Sequence, residues 1–198
     1  MNAKQHDTKA LQDLDKQHYM HPFTDSKAMH KKGTRIITGA DGCYIYDSEG
    51  GKVLDGMAGL WCVAIGYGRH ELADVAAQQM RELPYYNSFF GTAHPPVIKL
   101  AAQLKKLAPA HISHVFFTGS GSESNDTNVR LVRHYWQAKG QPKKRTIISR
   151  YNAYHGSTMA AMSLGGMKGM HDQGGIIDGI EHIMQPHWYH ETLAGESE

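Results

Sequence analysis

Two short stretches of the chain combine residue types that hold a phosphate and a planar ring. The first, Gly119-Ser120-Gly121-Ser122, follows an apolar run at 112–118 and precedes a helical pattern. Glycines let backbone N–H groups turn toward one point, serine hydroxyls add donors, and the helix N-terminus adds positive potential. This pattern predicts a phosphate site that is neither a Walker A loop nor a dinucleotide fingerprint. The alternative is an ordinary serine-capped helix, with acidic residues in its first turn.

The second stretch, residues 151–158, contains Tyr154 and His155 and follows the apolar run 145–149. Ligands of open α/β sheets bind at the carboxyl edge of the strands, where both stretches are expected to lie. An aromatic side chain there can stack on a heterocycle whose phosphate the first stretch holds. Pyridoxal 5′-phosphate (PLP), flavin mononucleotide and a nucleotide all meet that description. A loop tyrosine beside a solvated histidine is the alternative.

The elements around these stretches indicate an α/β fold. Three short β-type runs separated by strong turn signals predict a small antiparallel sheet, and alternating helical and apolar runs after residue 70 predict a parallel sheet. The predicted strands are 34–38, 43–46, 52–54, 112–118, 145–149 and 176–183, and the predicted helices are 71–83, 95–104 and 123–139. The chain then ends after a strand with no closing helix, which indicates a truncated or partial chain.

The combination of motifs resembles the class III (ω-amino) aminotransferases, which are fold-type-I PLP enzymes. Residues 117–126 resemble the phosphate-loop motif of that family, 154–158 its cofactor-stacking motif, and 54–62 the segment that leads to its active site. The likeness runs in order over nearly all of 20–185. It implies the amino-terminal part of the fold: an N-terminal segment with a small antiparallel sheet at 1–70, and the start of the PLP-binding large domain at 71–198.

The resemblance also implies roles for individual residues. The N–H groups of Gly121 and Ser122, with the Ser122 hydroxyl, would hold the PLP phosphate, and Ser120 would lie at the turn. The Tyr154 ring would lie against the pyridine face, and His155 would follow it into the site. The implied substrate-pocket residues are Leu60, Trp61, Phe89 and Phe90. For Trp61, Phe89 and Phe90 the alternative is packing in the core.

The family's chemistry needs a lysine that forms the Schiff base with PLP and an acidic partner for the pyridinium nitrogen. In the family both lie downstream of the part that this chain resembles. Lys139, Lys143 and Lys144 lie in a polar loop, where a solvated lysine makes a poor nucleophile. We therefore expect no catalytic residue among these 198 residues and no activity from them alone.

The implied function is a PLP-dependent aminotransferase that moves an amino group from an amine or ω-amino acid to a pyruvate-type keto acid. An aromatic-lined pocket would suit an alkyl or aryl amine. The resemblance also implies a homodimer at full length. The alternative from another class is a non-catalytic module, or a remnant, that binds a phosphate-bearing ligand.

Composition excludes several other classes of function. With 21 Lys and Arg against 19 Asp and Glu, the net charge of +2 gives no electrostatic footprint for nucleic acid or an anionic membrane. The apolar stretches are too short to span a bilayer, and no secretory signal is evident. Cys43 and Cys62 form no disulfide framework, which favours a soluble cytoplasmic protein.

The chain contains 14 histidines, which raises the question of a metal site. His111 and His114 bracket the start of a predicted strand, and His182, His187 and His190 flank a proline. Neither group has the tight pairing with Cys, or the i, i+4 helical spacing, that zinc sites use. We therefore predict no bound metal.

Overall fold

The computed structural model describes residues 6–192, and the chain divides after Ala93 into two compact units. This division lies later in the chain than the predicted domain boundary after residue 70. The assignment of 1–70 to an N-terminal segment and of 71–198 to the PLP-binding domain stays a prediction. The first unit contains α1 (Thr8–His18), α2 (Ser26–Lys32), β1 (Ile37–Asp41), β2 (Tyr44–Asp47), β3 (Lys52–Leu54), α3 (Ala58–Trp61) and α4 (His70–Glu82). The second contains α5 (Pro95–Leu107), α6 (Gly121–Ala138), β4 (Ile147–Arg150), α7 (Met159–Leu164), α8 (Lys168–His171), β5 (Ile180–Ile183) and α9 (Trp188–Glu191).

The first unit is built on the predicted three-stranded antiparallel sheet, in the order β1-β2-β3. Asp41 pairs with Tyr44 across a two-residue turn, and Tyr46 pairs with Lys52 across a five-residue connection. Gly42 in the first turn has φ +55°, a conformation that glycine adopts readily because it has no Cβ. The Asp47 carboxylate accepts the Gly51 N–H at 2.7 Å and closes the second turn. The predicted sheet is therefore present, but β1 lies three residues later in the chain than the predicted strand 34–38 and includes residues 39–41, which were expected to form the turn.

Helix α1 is joined by side-chain hydrogen bonds to the segment that leads into β1. Asp15 on α1 accepts the Thr34 hydroxyl at 2.5 Å and contacts His21 Nε2 at 2.7 Å. The Gln12 amide also donates to the Thr34 carbonyl at 2.9 Å. The Thr34 hydroxyl, and then His21, hold the pKa of Asp15 below its ordinary value, against the opposing effect of burial.

We expect the attachment of α1 to weaken in acid through Asp15. A carboxylate with a lowered pKa stabilises the fold fully above its unfolded-state pKa, near 4, and loses that contribution as pH falls through the lowered value. Amide protection factors in α1, measured by hydrogen exchange from about pH 6 to pH 3, should fall in the wild type. In Asp15→Asn the protection factors of α1 should be lower at pH 6 and should fall less on going to pH 3. Equal declines in the two proteins would contradict the assignment.

The second unit contains the predicted parallel pairing, between β4 and β5. Ile147 pairs with Ile180, and helices α7 and α8 lie between the two strands in the chain. This is the strand–helix–strand connection expected of an α/β domain. The buried apolar side chains of the unit, which come from α6, α7, α8 and β5, are Val129, Ala160, Ala161, Met162, Met170 and Ile180.

Two expectations for the second unit are wrong. Residues 112–118 do not form a strand, because no segment within 6–192 pairs with them and a strand requires a hydrogen-bonded neighbour. The chain also does not end on β5, since the four-residue α9 follows it. The predicted tail after residue 192 lies outside the described residues. Across residues 6–192, no helix has the length and apolar character needed to cross a bilayer.

Candidate cofactor and substrate site

The N-terminus of α6 is capped by its own side chains and still leaves donors available. The Ser120 hydroxyl accepts the Glu123 N–H at 3.1 Å, and the Glu123 carboxylate accepts the Gly119 N–H at 2.7 Å. Serine capping, the alternative interpretation, is therefore correct for these residues. The N–H groups of Gly121 and Ser122, however, have no acceptor within the described part of the chain. Two donors at the positive end of an 18-residue helix fit an anion such as phosphate.

The loop that carries Tyr154 and His155 is bonded directly to this helix end. Asn125 on α6 donates its amide N–H to the His155 carbonyl at 2.6 Å. The Ser122 hydroxyl oxygen accepts the Ser157 N–H at 3.0 Å, so its own proton is available to another acceptor. The phosphate-type turn and the aromatic loop are thus neighbours, although only the aromatic loop follows a strand, β4.

Asp126, one turn further along α6, secures the end of the same loop. Its Oδ1 atom accepts the Thr158 hydroxyl at 2.6 Å and the Ala161 N–H at 2.9 Å. Thr158 is the N-cap residue of α7, and its hydroxyl is turned to Asp126. One carboxylate oxygen therefore joins the second turn of α6 to the start of α7.

Gly156 allows the loop to approach α6 closely. It is buried, has φ +125°, and a Cβ at this position would lie 2.4 Å from Ser122 Oγ and 2.9 Å from Ser122 Cα. Glycine is required here because of its positive φ and because a Cβ would overlap with Ser122. The close approach is what lets Ser157 reach the Ser122 hydroxyl.

We expect Gly156→Ala to destabilise the second unit and to separate the loop from α6. Overpacking of this kind costs about 1–3 kcal/mol, and the positive φ adds to it. Gly169→Ala is the matched control, because Gly169 lies in α8 with nothing within 4 Å of its Cβ position. Thermal unfolding of the two variants should show a lower melting temperature for Gly156→Ala and no decrease for Gly169→Ala. Equal melting temperatures would show that the loop does not need this approach.

The loop 151–158 is also hydrogen-bonded to two glycines that follow α7, Gly165 and Gly166. Asn152 donates to the Gly166 carbonyl at 3.0 Å, and Gly166 donates to the Ala153 carbonyl at 2.9 Å. The Gly165 carbonyl contacts Nε2 of both His171 and His182, at 2.6 and 2.8 Å. Tyr154, in the same loop, is 56% exposed.

The histidines raised as metal ligands do not assemble into a metal site within residues 6–192. His182 is bonded to backbone and stacks on Tyr151, with ring centroids 5.5 Å apart. His187 and His190 stack on one another at 4.8 Å. In the part of the chain that the structure describes, no group of three or more His, Cys, Asp or Glu side chains is arranged to hold a metal ion.

The predicted pocket residues Leu60 and Trp61 lie in the first unit, on an unusual turn. The four residues of α3 all have positive φ, from +48° at Ala58 to +66° at Trp61. The Trp61 side chain is 82% exposed in this chain. Leu60, in the same left-handed turn, is 64% exposed.

Phe89 and Phe90 lie together near the end of the same unit, with ring centroids 6.1 Å apart. Phe90 has φ +59° and is 99% exposed. The phosphate-type turn and the aromatic loop belong to the second unit, whereas all four pocket residues belong to the first.

Sequence reasoning gave no role to Asn125 or Gly156 in joining the two motifs, and it expected Asp126 only to stabilise the first turn of the helix. A signal existed for the helix cap, since Ser120 and Glu123 have the capping-box spacing. No local signal identifies the partners of Asn125 and Asp126, because they lie 30 to 35 residues away in the chain.

Comparison with known proteins identifies the family. The family model "Aminotransferase class-III" matches residues 26–197. The match covers the helix end, the aromatic loop and the left-handed turn. The chain belongs to the class III aminotransferase family.

Named relatives share much of the sequence. The chain is 60% identical over 191 residues to a putrescine–pyruvate aminotransferase of Pseudomonas aeruginosa, covering 96% of this chain and 41% of that protein. It is 40% identical over 172 residues to a β-alanine–pyruvate aminotransferase of the same organism, covering 85% of this chain and 38% of that one. The chain thus spans about two fifths of the length of these relatives.

The fold is shared with a solved ω-transaminase. The structure of the ω-transaminase from Pseudomonas jessenii in complex with PMP superposes with a TM-score of 0.91 at 41% identity. The superposition covers 94% of this chain and 42% of that one. The α/β class, as part of the fold-type-I transaminase fold with a small antiparallel sheet and a parallel sheet, is therefore confirmed.

Proposed function

We propose that the protein containing this chain is a PLP-dependent aminotransferase that transfers an amino group from an aliphatic amine to pyruvate. The observation that supports it best is the hydrogen-bonded junction of the α6 N-terminus with the loop 151–158. Family membership and the names of the relatives at 60% and 40% identity support the reaction class and the two substrates. Putrescine is the first donor to test.

The residues at the junction have the chemistry to hold PLP. Gly121 and Ser122 offer N–H donors at the positive end of a helix, and the Ser122 hydroxyl adds a third donor. Charge-assisted hydrogen bonds of this kind are roughly twice as strong as neutral ones. Ser120 fixes the first turn as its cap, Tyr154 would lie against the pyridine ring, and His155 would follow it. When bound, PLP supplies the electron sink that stabilises negative charge at the amine carbon.

Leu60, Trp61, Phe89 and Phe90 would bind the carbon chain of the amine and exclude water from it. All four are large apolar side chains with more than half of their surface exposed. Covering such surface with an aliphatic substrate gains about 25 cal/mol per Å². Assembly as a homodimer and a cytoplasmic location are further parts of this proposal, and both rest on the family resemblance.

The proposal is tested with the protein that contains this chain, purified with PLP. Putrescine and pyruvate are supplied, and alanine is measured against a reaction with PLP alone. Formation of alanine that depends on both the protein and the amine is expected. A protein that binds PLP but forms no alanine with any amine tested would favour the non-catalytic binding module instead.

A further inference from the structure

The turn that carries Trp61 is in a conformation that its own residues disfavour. Ala58, Leu60 and Trp61 have φ of +48°, +58° and +66°, and only Gly59 among the four residues adopts such values readily. Side chains with a Cβ persist in this region only when the surrounding structure holds them there. Some contact must therefore maintain the turn.

Asp55 and Tyr67 supply that contact. One oxygen of the Asp55 carboxylate, Oδ2, accepts the Gly59 N–H at 2.7 Å and the Tyr67 hydroxyl at 2.7 Å. The Tyr67 hydroxyl holds the pKa of Asp55 below its ordinary value, so the acceptor is charged at neutral pH. At Gly59 a Cβ would lie 2.7 Å from Val63 Cγ2 and 3.1 Å from the Tyr67 hydroxyl oxygen, so the turn packs closely on both residues.

Both members of the pair are fixed to the small sheet. Asp55 donates its N–H to the Cys43 carbonyl at 2.9 Å, and Tyr67 donates its N–H to the Gly42 carbonyl at 2.8 Å. Gly42 and Cys43 are the two residues of the β1–β2 turn. The Asp55–Tyr67 pair thus connects the left-handed turn to a rigid part of the unit.

We propose that Asp55 and Tyr67 are positioning residues that fix Trp61 for binding of the amine substrate. This inference rests on the proposed function for the identity of the ligand. Neither side chain touches a reacting group; they act through the conformation of residues 58–61. The pair therefore sets the specificity of the pocket rather than the chemistry.

The kinetic test uses the holoenzyme with putrescine and pyruvate. Tyr67→Phe and Asp55→Asn should raise KM for the amine about five- to tenfold and change kcat less than twofold. In a Trp61→Ala background the same substitutions should change KM less than twofold, because residues that act through Trp61 are coupled to it. Tyr44→Phe is the matched control. It removes a hydroxyl from the neighbouring strand and keeps the ring that contacts Lys52, and it should leave KM unchanged.

A second measurement does not depend on activity. The protein is labelled with 5-fluorotryptophan, and the Trp61 fluorine signal is assigned by its loss in Trp61→Phe. Tyr67→Phe and Asp55→Asn should shift or broaden that signal and leave those of Trp136 and Trp188 in place. Tyr44→Phe should move none of the three.

The outcomes separate this inference from the proposed function. A Trp61 signal that moves in a protein without amino transfer would overturn the proposed function and leave the positioning of Trp61 supported. An unchanged Trp61 signal would overturn the positioning inference, whatever the activity. Increases in KM that are equal with and without Trp61 would also overturn it, because they would show a general structural role.

Discussion

Replacing Ser122 by alanine in the holoprotein is expected to weaken PLP binding about ten- to a hundredfold. The hydroxyl would donate to a charged phosphate, a bond worth about 1.5–3 kcal/mol, and it also accepts the Ser157 N–H at 3.0 Å. Tyr154→Ala should weaken PLP binding by a similar amount for another reason, since stacking on an aromatic ring is worth about 1–3 kcal/mol. Tyr154→Phe should retain most of the affinity, because the ring carries the stacking.

Competition with inorganic phosphate distinguishes these two effects. Ser122→Ala should bind free phosphate as well as PLP more weakly, whereas Tyr154→Ala should bind phosphate nearly as well as the wild type. Ser113→Ala, at an exposed serine that contacts only its neighbour His114 among the described residues, is the control and should change neither affinity. An equal loss of phosphate affinity in the Ser122 and Tyr154 variants would mean that Tyr154 does not stack on the cofactor ring.

Asp126→Ala is expected to have the largest effect on the stability of the second unit. The substitution leaves the N–H of Ala161, a fully buried residue, without its acceptor, and it leaves the Thr158 hydroxyl only the Ser122 carbonyl, 3.5 Å away. Hydrogen bonds to a charged group are worth about 1.5–3 kcal/mol each, so a loss of about 3–5 kcal/mol is expected together with loss of PLP. Asp126→Asn keeps an acceptor oxygen in the same place and should retain most of the stability.

Chemical unfolding and PLP retention should be measured together for the two Asp126 variants. The expected order is wild type, then Asp126→Asn, then Asp126→Ala in both measurements. Thr127→Ala, a neighbouring substitution on α6, serves as the control for helix propensity. If Asp126→Ala unfolds at the same denaturant concentration as Thr127→Ala, the carboxylate does not hold α6 and α7 together.

Local signals in the sequence predicted the elements and the two motifs that the structure brings together. Turn residues such as Gly42 and Asp47 define the small sheet, and the spacing of Ser120 and Glu123 defines the start of α6. These features depend on residues within a few positions of one another. The hydrogen bonds that join the motifs span 30 to 36 positions, and no pattern within one segment encodes them.

The conformation of two other segments could not be predicted from their own residues. Residues 112–118 have the composition of a strand, but strand formation depends on a partner that does not occur within residues 6–192. The left-handed turn at Ala58–Trp61 contradicts the preference of three of its four residues and depends on Asp55 and Tyr67. In both cases contacts outside the segment decide its conformation.

The most direct test of the central claim is a crystal structure of the protein that contains this chain, with PLP bound. We predict that the phosphate accepts hydrogen bonds from the Gly121 and Ser122 N–H groups and the Ser122 hydroxyl, within about 3.2 Å. The Tyr154 ring should lie against the pyridine ring. A phosphate bound elsewhere, with the Gly121 and Ser122 N–H groups facing water, would contradict the account.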